Sequence, residues 1–270
     1  MKIIVTTDFS ENSRSGLRMA AVLAQALHAE LHFVHICFIP GKPGEDDKAH
    51  RQRVKQETDR LLHQLRTFVK PFLNYLDKKD TVRYHIIDSF LTESGILSIQ
   101  KKIRAGLICL STRGAGKLPK LLGTTAANLL TQSPVPVLIV PSHYRMRPLK
   151  SIIYFCDLEN PRAELKKLLP FSKQLNIPIE MVYFTSQIKS GADESFHKMK
   201  TDADIRFTRI PMQGKSLTRN MLSYAEQRTT ALIAMFTRQR KTFLQRLFSH
   251  SRAEELAFHT RTPLLVFHKK

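Results

Sequence analysis

No apolar run in the 270 residues approaches the roughly 18 needed to cross a bilayer. Met1-Lys2-Ile3-Ile4-Val5 turns polar at Thr6. It is too short for a secretory apolar segment, and no small-residue cleavage site follows, so it reads as a first strand. Cysteine is scarce: Cys37, Cys109 and Cys156 are widely spaced, odd in number and set inside apolar runs. That pattern excludes a disulfide framework and a metal knuckle, and it points to a reducing cytoplasm. Nothing is collagenous, coiled or of low complexity. No Ser-His-Asp order with a nucleophile elbow occurs, and no converging pair of carboxylates, so no dedicated catalysis is expected, at most slow incidental ATP hydrolysis. His32 and His35 stand three apart on one strand and therefore on opposite faces, which argues against a metal site.

Acidic residues are also short, 23 against 43 Lys and Arg, for a formal charge of +20. Such a surface attracts polyanions in general, or simply keeps the protein solvated. No recognised nucleic-acid motif accompanies it, so nucleic acid ranks last among partners.

What the chain does contain is a repeat. Ile3-Ile4-Val5-Thr6-Thr7-Asp8 returns as Ile152-Ile153-Tyr154-Phe155-Cys156-Asp157, with 149 residues between the aspartates. Ala29 to Ile36 matches Ile177 to Phe184, Leu107 to Arg113 matches Leu232 to Arg238, and Pro136 to Val140 matches Pro263 to Phe267. The offset falls to about 126, so the first copy carries the longer middle, the charged stretch near Asp46 to Lys79. Each copy alternates short apolar runs with amphipathic segments, the pattern of a doubly wound parallel sheet. Ser10 is expected to cap the first helix, Pro71 to kink or end a helix from about Lys48 to Asp77, and Ser89 or Thr92 to start the third. The expected fold is α/β: two tandem Rossmann-like domains over residues 1–143 and 150–270. Each has a five-stranded, mostly parallel sheet of order 3-2-1-4-5, with ligands at the C-terminal strand ends.

The chemistry-bearing segment runs Ser111-Thr112-Arg113-Gly114-Ala115-Gly116-Lys117-Leu118-Pro119-Lys120-Leu121-Leu122-Gly123-Thr124-Thr125, between a buried strand and a helix. Glycines let backbone approach an anion, and free amides at a helix start favour phosphate. The Gly-Lys-Ser/Thr ending of a P-loop is missing.

This segment, Asp8 after the first strand and the closing Ser133-Pro134-Val135-Pro136-Val137-Leu138-Ile139-Val140 together resemble the universal stress protein family, in its tandem form. ATP-binding members carry Gly-x-x-Gly, nine residues, then Gly-Ser/Thr. Here Ser111 takes the first glycine's place and Gly114 the second, and Gly123-Thr124 forms the last pair after a spacer of eight residues. The resemblance implies a stress-response or regulatory protein binding ATP or AMP, with Mg2+, in its first domain. It implies roles for Thr6, Asp8 (ribose), Ile36 (adenine), Ser111, Arg113, Gly114, Gly116, Gly123, Thr124 and Thr125. It also implies that the last strands of the two domains pair within the chain, with a further homodimer left open. The second copy's loop, Phe236 to Ser251, has no glycine; its Arg238, Arg240, Lys241, Arg246 and Arg252 retain only electrostatic attraction for anions. The alternatives are a nucleotide-independent scaffold acting through protein contacts and a basic polyanion binder.

Overall fold

The computed structural model describes residues 1–78, 81–112, 124–185, 204–212, 214, 216–238 and 262–269. The first half runs β1 (Lys2–Thr6), α1 (Arg14–Ala26), β2 (Glu30–Cys37), α2 (Asp47–Val69), β3 (Val82–Asp88), α3 (Thr92–Ile103), β4 (Leu107–Thr112), α4 (Thr124–Gln132) and β5 (Val137–Pro141). The second runs β6 (Ser151–Phe155), α5 (Pro161–Leu175), β7 (Ile179–Thr185), β8 (Ile205–Pro211), α6 (Leu217–Glu226), β9 (Ala231–Arg238) and β10 (Leu264–Lys269).

The ten strands among the described residues form one sheet, ordered β3-β2-β1-β4-β5-β10-β9-β6-β7-β8. Each half therefore has the expected 3-2-1-4-5 order. Pairing is parallel within each half and antiparallel at the central β5–β10 seam, where Leu264, Leu265 and Val266 face Ile139, Leu138 and Val137. The expected pairing of the last strands within the chain is present.

Strand residues alternate between two cores, as the two-residue period of a strand requires. Ile3 and Val5 join α1, α2 and α5 on one side; Ile4 joins α3, α4 and α6 on the other. The central strands are buried on both faces, which is why they read as continuous apolar runs.

The repeat alignment reappears as register. Ile3 pairs with Leu31 and Leu107; Ile152 pairs with Ile179 and Leu232. Ile108 pairs with Val137 and Ile233 with Leu264. The longer middle of the first half is α2, which Asp46 caps by accepting from the Ala49 amide at 2.7 Å. This helix buries only Leu61, Leu65 and Val69, all in its C-terminal part, so most of its surface stays polar. It ends at Val69, and Lys70–Tyr75, containing Pro71, continue as a 3-10 turn.

One helix start differs from expectation. A 3-10 turn, Glu11–Ser13, precedes α1, and Ser10 caps neither element. Its hydroxyl donates instead to Asp8 Oδ1 at 2.5 Å, because the chain turns sharply at Phe9. The third helix starts at Thr92, one of the two expected positions; Leu91 before it makes no side-chain cap, and the Ser89 hydroxyl donates to the Leu91 carbonyl at 2.8 Å.

Candidate functional site

A cavity of about 300 Å3 opens at the C-terminal ends of β1, β2 and β4. In the strand order, β1 is where the crossovers reverse direction, the usual ligand position of a doubly wound sheet. Thr6, Thr7 and Asp8 line it from β1, Ile36 from β2, and Leu110 and Ser111 from β4. Ser10, Asn12 and Ser13 come from the turn before α1, Thr92 from the start of α3, and Thr125 and Ala126 from the first turn of α4. Asn128 donates to Glu93 at 2.8 Å and so holds α4 beside α3.

The turn after β1 is wired by its own hydroxyls. The Phe9 amide donates to Thr7 Oγ1 (3.0 Å), and Ser13 Oγ donates to the Ser10 carbonyl (2.8 Å). A hydroxyl has one proton, so Thr7 supplies the one shared with Ser13 at 2.7 Å. His35 Nδ1 donates to the Thr7 carbonyl at 2.8 Å, and its ring lies 4.2 Å from that of Phe9. Phe9 is left-handed, φ 62°, which a side chain tolerates only where its surroundings hold it. Asp8 Oδ1 accepts from the Ser10 amide at 3.1 Å, completing the turn.

Ser111 sits in strand geometry opposite Val140 and is not among the positive-φ residues, so a serine in the family glycine's place carries no backbone strain. Burial pushes the neighbouring Cys109 thiol far above its usual range, and it donates to the Gly16 carbonyl at 3.6 Å. Of the residues named from sequence, Thr6, Asp8, Ile36, Ser111 and Thr125 converge on the cavity, and Thr124 opens α4. Arg113, Gly114, Gly116 and Gly123 lie outside the described residues. Sequence alone does not single out Thr7, Asn12 or Ser13 and marks Ser10 and Thr92 only as helix starts, although the density of hydroxyl and amide side chains after β1 is a usable signal.

The family model for the universal stress protein family matches residues 1–141, about half of the chain. The chain belongs to the universal stress protein family. Similar solved structures include a universal stress protein from Archaeoglobus fulgidus DSM 4304, 14% identical, covering 100% of this chain and 98% of that one, TM-score 0.70. A putative universal stress protein from Pseudomonas aeruginosa UCBPP-PA14 is 15% identical over 99% of this chain and 92% of that one, TM-score 0.59. The cytoplasmic domain of a prokaryotic cation chloride cotransporter shares the fold at 7% identity, 98% and 94% coverage and TM-score 0.56. Among curated proteins no sequence matches. No helix among the described residues is long and apolar enough to cross a membrane.

The second half keeps the turn but replaces cavity-lining residues with larger buried ones. Leu158, like Phe9, is left-handed (φ 64°), and Asp157 Oδ1 accepts from the Glu159 amide at 3.1 Å as Asp8 does from Ser10. At the register positions of Thr6, Ile36, Leu110 and Ser111 stand Phe155, Phe184, Met235 and Phe236, all buried. Phe155 and Phe184 touch at 5.8 Å, and Phe236 stacks on Phe267 at 4.8 Å. The basic loop expected beyond β9 lies outside the described residues.

Proposed function

We propose that the chain is a stress-response regulator that binds ATP or AMP, with Mg2+ accompanying the triphosphate, in its first half and performs no dedicated catalysis. The units are residues 1–143, which hold the nucleotide, and 150–270, which serve as their structural partner. The observation that carries this reading is the hydroxyl-lined cavity at the reversal point of the sheet, with the first turn of α4 at its wall. Helix-start amides and hydroxyls are suited to phosphate oxygens, the Asp8 carboxylate to ribose hydroxyls, and Ile36 to the base. Arg113, Gly114, Gly116, Gly123 and Thr124 complete the phosphate side.

Isothermal titration of the purified chain with ATP and Mg2+, and with AMP, tests it. Saturable binding to one site is expected, lost in Gly114→Glu and Gly123→Glu. Absence of heat at high protein concentration, with no nucleotide in the denatured supernatant by mass spectrometry, rejects it.

A further inference from the structure

The resemblance counts Ser111 in the phosphate-binding loop, yet its hydroxyl points at α1. Oγ accepts from the Gly16 amide at 2.8 Å, donates to the Ser13 carbonyl at 3.2 Å and lies 3.1 Å from the Ser15 hydroxyl. A serine hydroxyl has one proton and two lone pairs. With Ser15 as donor, these three contacts use all of them.

Gly16 is what admits this side chain. A Cβ on Gly16 would stand 2.6 Å from Ser111 Oγ, 3.1 Å from the Ser111 amide nitrogen and 3.3 Å from the Leu110 carbonyl carbon. Two of these neighbours are backbone, which cannot swing aside. The glycine and the serine are thus complementary: one supplies the hydroxyl, the other the space and an amide donor. The second half lacks the pair, with Leu165 and Phe236 at the matching positions, both buried.

The contact joins two walls of the cavity. Ser13, whose carbonyl receives the Ser111 proton, belongs to the turn that also supplies Ser10 and Asn12; Ser111 and Leu110 belong to β4. We infer that Ser111 is a positioning residue. It clasps the turn before α1 to the end of β4, sets the width of the cavity, and gives no polar contact to the ligand. This rests on the nucleotide reading above, and the test separates the two.

Four full-length chains decide it: wild type, Ser111→Gly, Gly16→Ala and the double variant. Hydrogen exchange at the Gly16 amide is expected to speed up about tenfold in Ser111→Gly, because its acceptor is gone. ATP affinity by titration is expected to fall about tenfold in Ser111→Gly and in Gly16→Ala, with native circular dichroism in both. The double variant is expected to regain thermal stability over Gly16→Ala, because the crowded Oγ has been removed, while its affinity stays low. Unchanged Gly16 exchange, or strictly additive stabilities in the cycle, overturns the clasp. Faster exchange with unchanged affinity overturns its control of the cavity. If the wild type binds neither nucleotide, the functional reading fails by itself, and the exchange and the cycle still decide the clasp.

Discussion

His32 and His85 meet between β2 and β3, Nδ1 to Nε2 at 2.8 Å, with their rings stacked 5.1 Å apart. One ring must donate and the other accept, so the contact works with both imidazoles neutral. The matching positions of the second half are Glu180 and Thr208, whose side chains also touch, at 3.4 Å. The same pair of strand positions thus carries a polar contact in both copies, made from different chemistry.

Acid should weaken the fold through this pair. Burial lowers the His32 pKa from 6.5 to about 4, helped by His85, Lys2 and Arg83 and opposed by Glu30, 3.3 Å away. Burial lowers His85 as well, with Lys102 adding to the effect and Glu30 opposing it. Below pH 6.5 the unfolded chain takes up a proton that the folded chain refuses until about pH 4. Stability is therefore complete above pH 6.5 and is lost as pH falls through that window, by roughly 3 kcal/mol for His32. Thermal midpoints between pH 4 and 7 measure this, and His32→Val should reduce the slope.

Gly95→Ala should both destabilise the chain and weaken nucleotide binding. The added Cβ would lie 3.0 Å from Ser89 Cβ and 3.2 Å from Ile36 Cδ1 and Cγ2. Overpacking of this kind costs about 1–2 kcal/mol, and the displaced residue is the cavity-lining Ile36. Urea denaturation and titration with ATP read the two effects separately.

Phe236→Ser restores the first half's residue to the second half's crevice. Removing a buried aromatic ring that stacks on Phe267 should cost about 3 kcal/mol in thermal or urea unfolding. ATP should give no second binding event, because Phe155 and Phe184 still stand at the positions that match Thr6 and Ile36.

Leu265→Asp tests the seam. Leu265 is 1% exposed and pairs with Leu138 across β5 and β10. An unpaired carboxylate there should cost about 4 kcal/mol or more, visible as a large drop in the urea midpoint. Glu57→Gln on exposed α2 should leave the midpoint unchanged.

The framework of this molecule was legible because strand register follows apolar pattern. Ile3 matches Ile152 and Leu107 matches Leu232 in sequence, and in the sheet Ile3 pairs with Leu107 as Ile152 does with Leu232. The family resemblance fixes the places of Asp8 and Ile36, and Thr125 is legible as a hydroxyl at a helix start. The hydroxyl wiring was not legible. Whether Ser10 bonds to α1 or to Asp8 depends on a left-handed Phe9, and nothing in a Phe codon position signals that conformation. Ser111 looked like a weakened glycine because its partner, Gly16, lies 95 residues away in sequence.

The antiparallel seam between β5 and β10 joins a half with an open crevice to a half that carries buried phenylalanines at the matching positions. Two identical units joined in the same way would present two equal sites, whose occupancies could influence one another. With nucleotide bound in the first half alone, as proposed, the saturation curve should be a plain hyperbola, a graded readout of nucleotide concentration with no threshold.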